Sequence, residues 1–255
     1  MMASERHEKI MIMLRQKGFV KLQELRKSLN VSEVTIRKDL DDLQELGHLQ
    51  RCHGGALLRT FNQKEQTFVK KASEHVEAKR KIARYCSTLV KSDMTIFLDN
   101  GTTIFEIAKA IADISGITVV TTDVRIAYFL LDSKAEVVMI GGNIQKETGA
   151  VGGFFSEQML GKMCLDLAFF GTSSINEKLE VLTPSAEKAA VKKMVQKNSS
   201  LSFLTADDSK FNKQALYKVS DLSDYTALVT NYTWNQSELE LVKQKNINVI
   251  AIDNI

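Results

Sequence analysis

Four short polar stretches in the later part of the chain carry the residue types that hold an anionic small molecule. They are DNGTT (Asp99 to Thr103), GGN (Gly141 to Asn143), GTSS (Gly171 to Ser174) and ADDSKF (Ala206 to Phe211). DNGTT follows the apolar run TIFL and opens a helix-forming segment. The amides of Gly101, Thr102 and Thr103 are therefore expected at a helix mouth, where unsatisfied N–H groups and the positive end of the helix dipole attract phosphate. A strand–turn–helix junction also calls for glycine and threonine on structural grounds alone. Lys210 is the cation to pair with an anion, although its spacing equally suits a surface lysine after a turn. Asp99, with Asp207 or Asp208, offers oxygens to ligand hydroxyls. Glu187 lies three residues after Pro184, the one proline in the chain. It can reach the same place, or simply complement the dipole of its own helix. Trp234 reads as a packing residue rather than a stacking platform.

A second group of candidates lies in the first sixty residues. Ile36, Leu40, Leu43 and Leu46 recur at helical spacing, which turns Ser32, Glu33, Thr35, Arg37 and Lys38 outward near the start of that helix. Short polar groups beside a basic pair suit base edges and flanking phosphates in a major groove. A solvated helix face is the bland alternative. The segment after it, HLQRCHGGALL, is two short apolar-alternating runs about Gly54-Gly55, which predicts a small β-wing carrying Arg51 and His53. Asp39 follows Lys38 and is read as orienting a basic neighbour, since a carboxylate meets phosphate unfavourably.

These groups need elements to hold them. Ile10, Met13 and Leu14 mark a helix over 5–17 that Gly18 stops, and Leu22, Leu25 and Leu29 mark a second that ends at Asn30-Val31. Ser32 is placed to cap the third, and Gly47 closes it. Three short helices with tight turns and a wing describe a winged helix-turn-helix over residues 3–58. Residues 59–76 read as a linker or connecting helix. From 77 to 255 the pattern becomes β/α alternation, with strands expected at 95–99, 117–121, 136–140, 166–170, 201–205, 226–230 and 247–252. Helices are expected at 77–91, 102–113, 123–132, 153–162, 185–197 and 235–245. Continuous apolar runs indicate strands buried on both faces, hence an α/β domain with a Rossmann-like, mostly parallel sheet. The polar stretches then share one edge of that sheet, where ligands of open α/β sheets bind.

Composition narrows the class further. The 255 residues hold 34 Lys and Arg against 31 Asp and Glu, a net charge of +3. Residues 1–60 contain 11 of the basic and 8 of the acidic groups, so the excess lies there and the remaining 195 residues balance at 23 of each. The three cysteines, Cys52, Cys86 and Cys164, are far apart and form no C-x-x-C pair. No disulfide framework, metal site or cofactor is expected, and a reducing cytoplasm fits. The charged N-terminus lacks an apolar run with a cleavage site, and no stretch of about eighteen apolar residues occurs, so neither export nor a membrane span is expected. All four histidines precede residue 76, leaving the later part without an imidazole base.

The run RHEKIMIMLRQKGFVKLQELRKSLNVSEVTIRKDLDDLQELGHLQRCHGGALL closely resembles the helix-turn-helix of DeoR-family bacterial transcription regulators. The VSEVTIRKDL stretch at 31–40 and the R-x-H-G-G-A stretch at 51–56 carry that likeness. The order DNGTT, VVTTD, IGG, LAFFGTSSI, TPSAEKAAVKKM and DDSKF is similar to the family's C-terminal domain, whose fold resembles ribose phosphate isomerases and CoA-transferases. Departures at Asn100, Asp123 and Ser174 bear on the identity of a ligand. The resemblance implies a helix-turn-helix at about 20–39. It implies a repressor of a sugar-utilisation operon that is not an enzyme, with Ser32, Glu33, Thr35, Arg37, Lys38, Arg51 and His53 against double-stranded operator DNA. A phosphorylated sugar effector would then meet Asp99, Gly101, Thr102, Thr103, Gly141, Gly142 and Lys210. Two half-sites need two reading heads, so a homodimer or larger oligomer is expected. The alternative from another class is a sugar-phosphate isomerase or acyl-transfer enzyme fused to a DNA-binding head.

Overall fold

A computed structural model describes residues 3–17, 19–45, 48–52, 54–58 and 67–252. The expectations placed on Gly18, Leu46, Gly47, His53 and residues 59–66 lie outside them. The chain divides into two compact units, Met1–Phe61 and Asn62–Ile255.

The first unit runs α1 (Ala3–Lys17), β1 (Phe19–Lys21), α2 (Leu22–Leu29), α3 (Glu33–Glu45), β2 (Leu49–Cys52) and β3 (Gly55–Leu58). Its core is the inward stripe of each helix: Ile10 and Leu14 of α1, Leu22, Leu25 and Leu29 of α2, and Ile36, Leu40 and Leu43 of α3. Asn30 ends α2 in the left-handed region at φ 50°, which an Asn side chain tolerates better than most. The Ser32 Oγ accepts the Thr35 N–H at 3.2 Å and starts α3. The wing is three-stranded, in the order β1-β3-β2, because β1 pairs antiparallel with β3. That three-residue strand was not foreseen; Phe19-Val20-Lys21 is too short to show a period.

The second unit begins with α4 (Phe68–Ser73), α5 (Val76–Ser87), β4 (Thr95–Leu98), α6 (Thr102–Ile111), β5 (Thr118–Thr121), α7 (Val124–Phe129) and β6 (Glu136–Met139). It continues with β7 (Asn143–Gln145), β8 (Ala150–Gly152), α8 (Phe154–Leu160), β9 (Leu165–Gly171), β10 (Ser174–Ile175), β11 (Glu180–Thr183), α9 (Ala186–Lys197) and β12 (Ser199–Ala206). After β13 (Tyr217–Asp221) it closes with β14 (Ala227–Thr230), α10 (Gln236–Gln244) and β15 (Val249–Ala251). Seven strands form one sheet in the order β15-β14-β12-β9-β4-β5-β6, and every adjacent pair is parallel.

Alternate residues of each strand supply two cores on opposite faces, as the period of two requires. Ile96, Leu98, Val119, Phe169 and Phe203 join α5, α6 and α7 on one side. Phe97, Val120, Phe170, Leu204 and Leu228 join α8, α9 and α10 on the other. Two antiparallel additions escaped the sequence reading: the β7-β8 hairpin and a small sheet β10-β11-β13. Pro184 stands one residue before Ser185, whose Oγ caps α9 by accepting the Lys188 N–H at 3.3 Å.

Gly55 marks how tightly the wing closes: a Cβ there would sit on the Val20 carbonyl oxygen. Gly55→Ala is therefore expected to push β3 off β1 and destabilise the first unit by about 1–3 kcal/mol, the usual cost of overpacking. Chemical denaturation of the full chain followed by circular dichroism reads this. An unshifted midpoint would mean that the wing yields freely.

Candidate functional site

The outer face of α3 is held out by an inner anchor. Asp39, 1% exposed, accepts two bonds from the Arg6 guanidinium of α1, at 2.7 and 2.8 Å. Its basic partner is thus Arg6, not the adjacent Lys38. With Asp39 inward, Arg37 and Lys38 are exposed, as is Ser32, while Glu33 and Thr35 are half-buried. Arg37 donates to Glu33 at 2.7 Å across one helical turn. Val34, 77% exposed between them, was missed by a search for polar groups; an apolar contact of this kind suits a thymine methyl. Arg51 on β2 pairs with Asp41 of α3, and its N–H donates to the Gln44 side chain at 2.7 Å, which fixes the wing to α3.

In the second unit the sheet order reverses between β4 and β9. The chain goes β4, β5, β6 in one direction, then returns to β9 beside β4 and goes on to β12, β14 and β15 in the other. Such a reversal opens a crevice at the carboxyl ends of the strands. Asp99, wholly buried, stands at that point. Its Oδ2 accepts the Gly171 N–H at 2.9 Å and an ion pair from Lys192 of α9, and its Oδ1 accepts from Asn100 at 3.0 Å. Lys192 is itself buried and also donates to the Gly171 carbonyl at 2.8 Å.

Beside it, α6 opens as expected, with one difference. The Gly101 N–H already donates to Asp123 Oδ2 at 3.2 Å, whereas the Thr102 and Thr103 amides have no partner among the described residues. Asp123 is buried and caps α7 by accepting the Arg125 N–H at 2.9 Å. Burial raises its pKa above the ordinary carboxylate value, while the bonds from Arg125 and Gly101 oppose the shift. The buried hydroxyls of Thr122 and Ser174 and the Oδ2 of Asp207, all on segments that follow the carboxyl ends of strands, make no hydrogen bond among the described residues.

Lys210 lies in a 3-10 turn, Asp208–Lys210, after β12. Its ammonium is 3.9 Å from Asp207 Oδ2. Burial lowers its pKa, partly offset by Asp207. At about 4.8 Å per strand, the ends of β4 and β12 are two strands, about 10 Å, apart. Gly141 and Gly142 follow β6, two strands away on the other side of β4, so they and Lys210 follow strands four places apart in the sheet. The backbone at Gly142 is boxed in by Ser156 and Gly152, while Gly141 faces open space. Glu187 accepts from Gln145 at 3.3 Å beside Gly152, and Trp234 packs edge-on against Phe211 and Tyr232.

Lys192 is the chief residue the sequence reading passed over. A signal existed: Lys188 and Lys192 fall in phase with the buried Val191 and Val195 of α9, where a solvated lysine is not expected.

Two family models match. The DeoR-like helix-turn-helix domain covers residues 6–62, and the DeoR C terminal sensor domain covers residues 74–232. The chain is 28% identical to the HTH-type transcriptional regulator GlpR of Haloferax volcanii, over 98% of both chains. It is 30% identical to a lactose phosphotransferase system repressor of Staphylococcus aureus, over 94% of this chain and 96% of that one. It is likewise 30% identical to a glycerol-3-phosphate regulon repressor of Haemophilus influenzae, over 90% of each. Among solved structures, ribose 5-phosphate isomerase A of Methanocaldococcus jannaschii overlays with a TM-score of 0.41 at 17% identity, over 54% of this chain and 55% of that one.

Removing one partner of a buried ion pair leaves the other uncompensated, at about 3–5 kcal/mol. Lys192→Met is expected to lower the stability of the second unit by that amount in urea unfolding. Combining it with Asp99→Asn should recover part of the loss, and strictly additive losses would show that the two groups are not coupled.

Proposed function

Because the chain belongs to the DeoR family, and is thus a DNA-binding transcriptional regulator, we propose that it represses a sugar-utilisation operon under control of a phosphorylated sugar. Residues 3–58 form the reading head, 59–76 connect it, and 77–255 sense the effector. In the head, Ser32, Glu33, Thr35, Arg37 and Lys38 face the operator, joined by Val34, with Arg51 and His53 against the backbone or minor groove. Arg37 leaves Glu33 for a phosphate or a guanine edge, trading one charged partner for another. Two copies act together in the cytoplasm, each on one half-site.

One observation carries the effector assignment: the sheet reverses at β4 and β9 beside a ten-residue helix whose Thr102 and Thr103 amides have no partner among the described residues. The phosphate is held by those two amides and the helix dipole, with Lys210 on the far side of β9 taking the other anionic or hydroxylated end. Asp99 contributes by fixing Gly171 and Lys192 more than by touching ligand, and Gly141 and Gly142 close the opposite edge. The sensor holds its ligand without turnover, so the protein is a regulator and not an enzyme.

Effector binding to the folded state raises apparent stability. A thermal-shift screen of phosphorylated sugars against the full chain is expected to find at least one that does so; none doing so would sink the assignment. Lys210→Ala is expected to weaken that ligand about 10–100-fold, the loss of a charge-assisted hydrogen bond, with operator affinity unchanged in its absence. Arg37→Ala is expected to cost about 1–3 kcal/mol of operator binding by gel shift while circular dichroism stays the same.

A further inference from the structure

Arg125 stands where three elements of the second unit meet at the start of α4, the helix that follows the segment leading from the DNA-binding head. Its backbone N–H is held by Asp123, the carboxylate that also accepts the Gly101 N–H at the mouth of α6. Its guanidinium donates to the Thr148 carbonyl in the turn between β7 and β8. It lies so close over Gly149 that a Cβ there would overlap it. Its Cζ is 4.6 Å from the centre of the Phe68 ring, at the first residue of α4.

Phe68 is held by the same elements from other directions. Its N–H donates to the Glu147 carbonyl at 3.2 Å, and its ring stands edge-on to Phe105 of α6 at 5.6 Å. Phe105 in turn meets Phe129 of α7 at 5.4 Å. The far end of α4 is tied too: the buried Lys79 ammonium donates to the Lys71 carbonyl and, at 2.6 Å, to that of Glu74. His75 Nδ1 lies 3.2 Å from Asp208, in the turn that carries Lys210.

We infer that Arg125 is the positioning residue that transmits occupancy of the α6 mouth to α4, and so toward the DNA-binding head. This rests on the effector site proposed above. An anion held by the Thr102 and Thr103 amides stands at the same helix mouth as the Asp123 carboxylate on the Gly101 N–H, and like charges placed so close repel. Asp123 must withdraw or take up a proton, and either change loosens its hold on the first turn of α7. The guanidinium then shifts over Phe68, and a cation stacked on a ring is sensitive to such a displacement. Arg125 need touch neither ligand nor DNA.

Hydrogen exchange of the full chain, read by mass spectrometry on the peptide spanning 67–75 with inorganic phosphate as probe, tests this. Arg125→Met is expected to speed exchange in α4 about tenfold without phosphate, with exchange in α6 unchanged. Phosphate is expected to alter α4 exchange in the wild type and not in Arg125→Met, a difference that a merely structural arginine would not produce. Arg125→Lys, which keeps the charge without the planar stack, should be intermediate and guards against a misfolded variant. Unaltered α4 exchange in ligand-free Arg125→Met, or a retained phosphate response, overturns the inference. Failure of phosphate to raise the wild-type melting temperature counts against the effector site instead, and the ligand-free comparison still decides the role of Arg125.

Discussion

A parallel sheet covered by helices on both faces has no room for polar chemistry along its strands, so polar groups gather where the strands end. Alternate residues of β4, β5, β9, β12 and β14 fill two separate apolar cores, and nearly every functional candidate of the second unit lies just past a carboxyl terminus of a strand. The reversal between β4 and β9 concentrates this further. Two neighbouring strands send their following segments apart there, and the gap is bridged by the Asp99–Lys192 pair and the Gly171 amide. Desolvating two charges is costly. The pair persists because each partner has further bonds and because α9 is pinned over the reversal by it.

The strand order of the main sheet could not be read from the sequence, yet its strands could. Runs such as TIFL and LAFF are apolar at both parities, which is the mark of burial on two faces, and the helices between them show a clear stripe. The small elements were hidden for a different reason. Two or three residues cannot display a period, and β10, β11 and β13 pair across intervals as long as the one between Glu180 and Asp221, where only the folded main sheet sets the register. The same distinction governs the site. DNGTT announced itself through local residue types, because a helix mouth is a local object. Asp99 with Lys192 is separated by 93 positions, and the engagement of the Gly101 N–H by Asp123 depends on the neighbouring strand. Lys210 and the glycines after β6 were grouped by chemistry alone; strand order sets them on opposite sides of β4.

In the first unit, helical spacing gave core stripes for the helices, since the apolar positions of one helix repeat within a few residues. It could not give β1, nor the partner of Asp39. A carboxylate flanked by Lys38 invites a local reading, but the helix turns Asp39 inward and Lys38 outward, and the charge it meets comes from α1. The exposed Val34 shows the complementary blind spot: an apolar residue on a polar face looks like an accident until it is seen to be uncovered among the described residues.

The Arg6–Asp39 anchor also separates two jobs that share one helix. Asp39, Ile36, Leu40 and Leu43 are buried and fix where α3 lies, whereas Val34, Arg37 and Lys38 are exposed and Glu33 is only half-buried. If the second set meets the operator as proposed, substitutions there leave the first untouched, and the preferred base sequence can drift, or be redesigned, without the chain having to find a new way to fold.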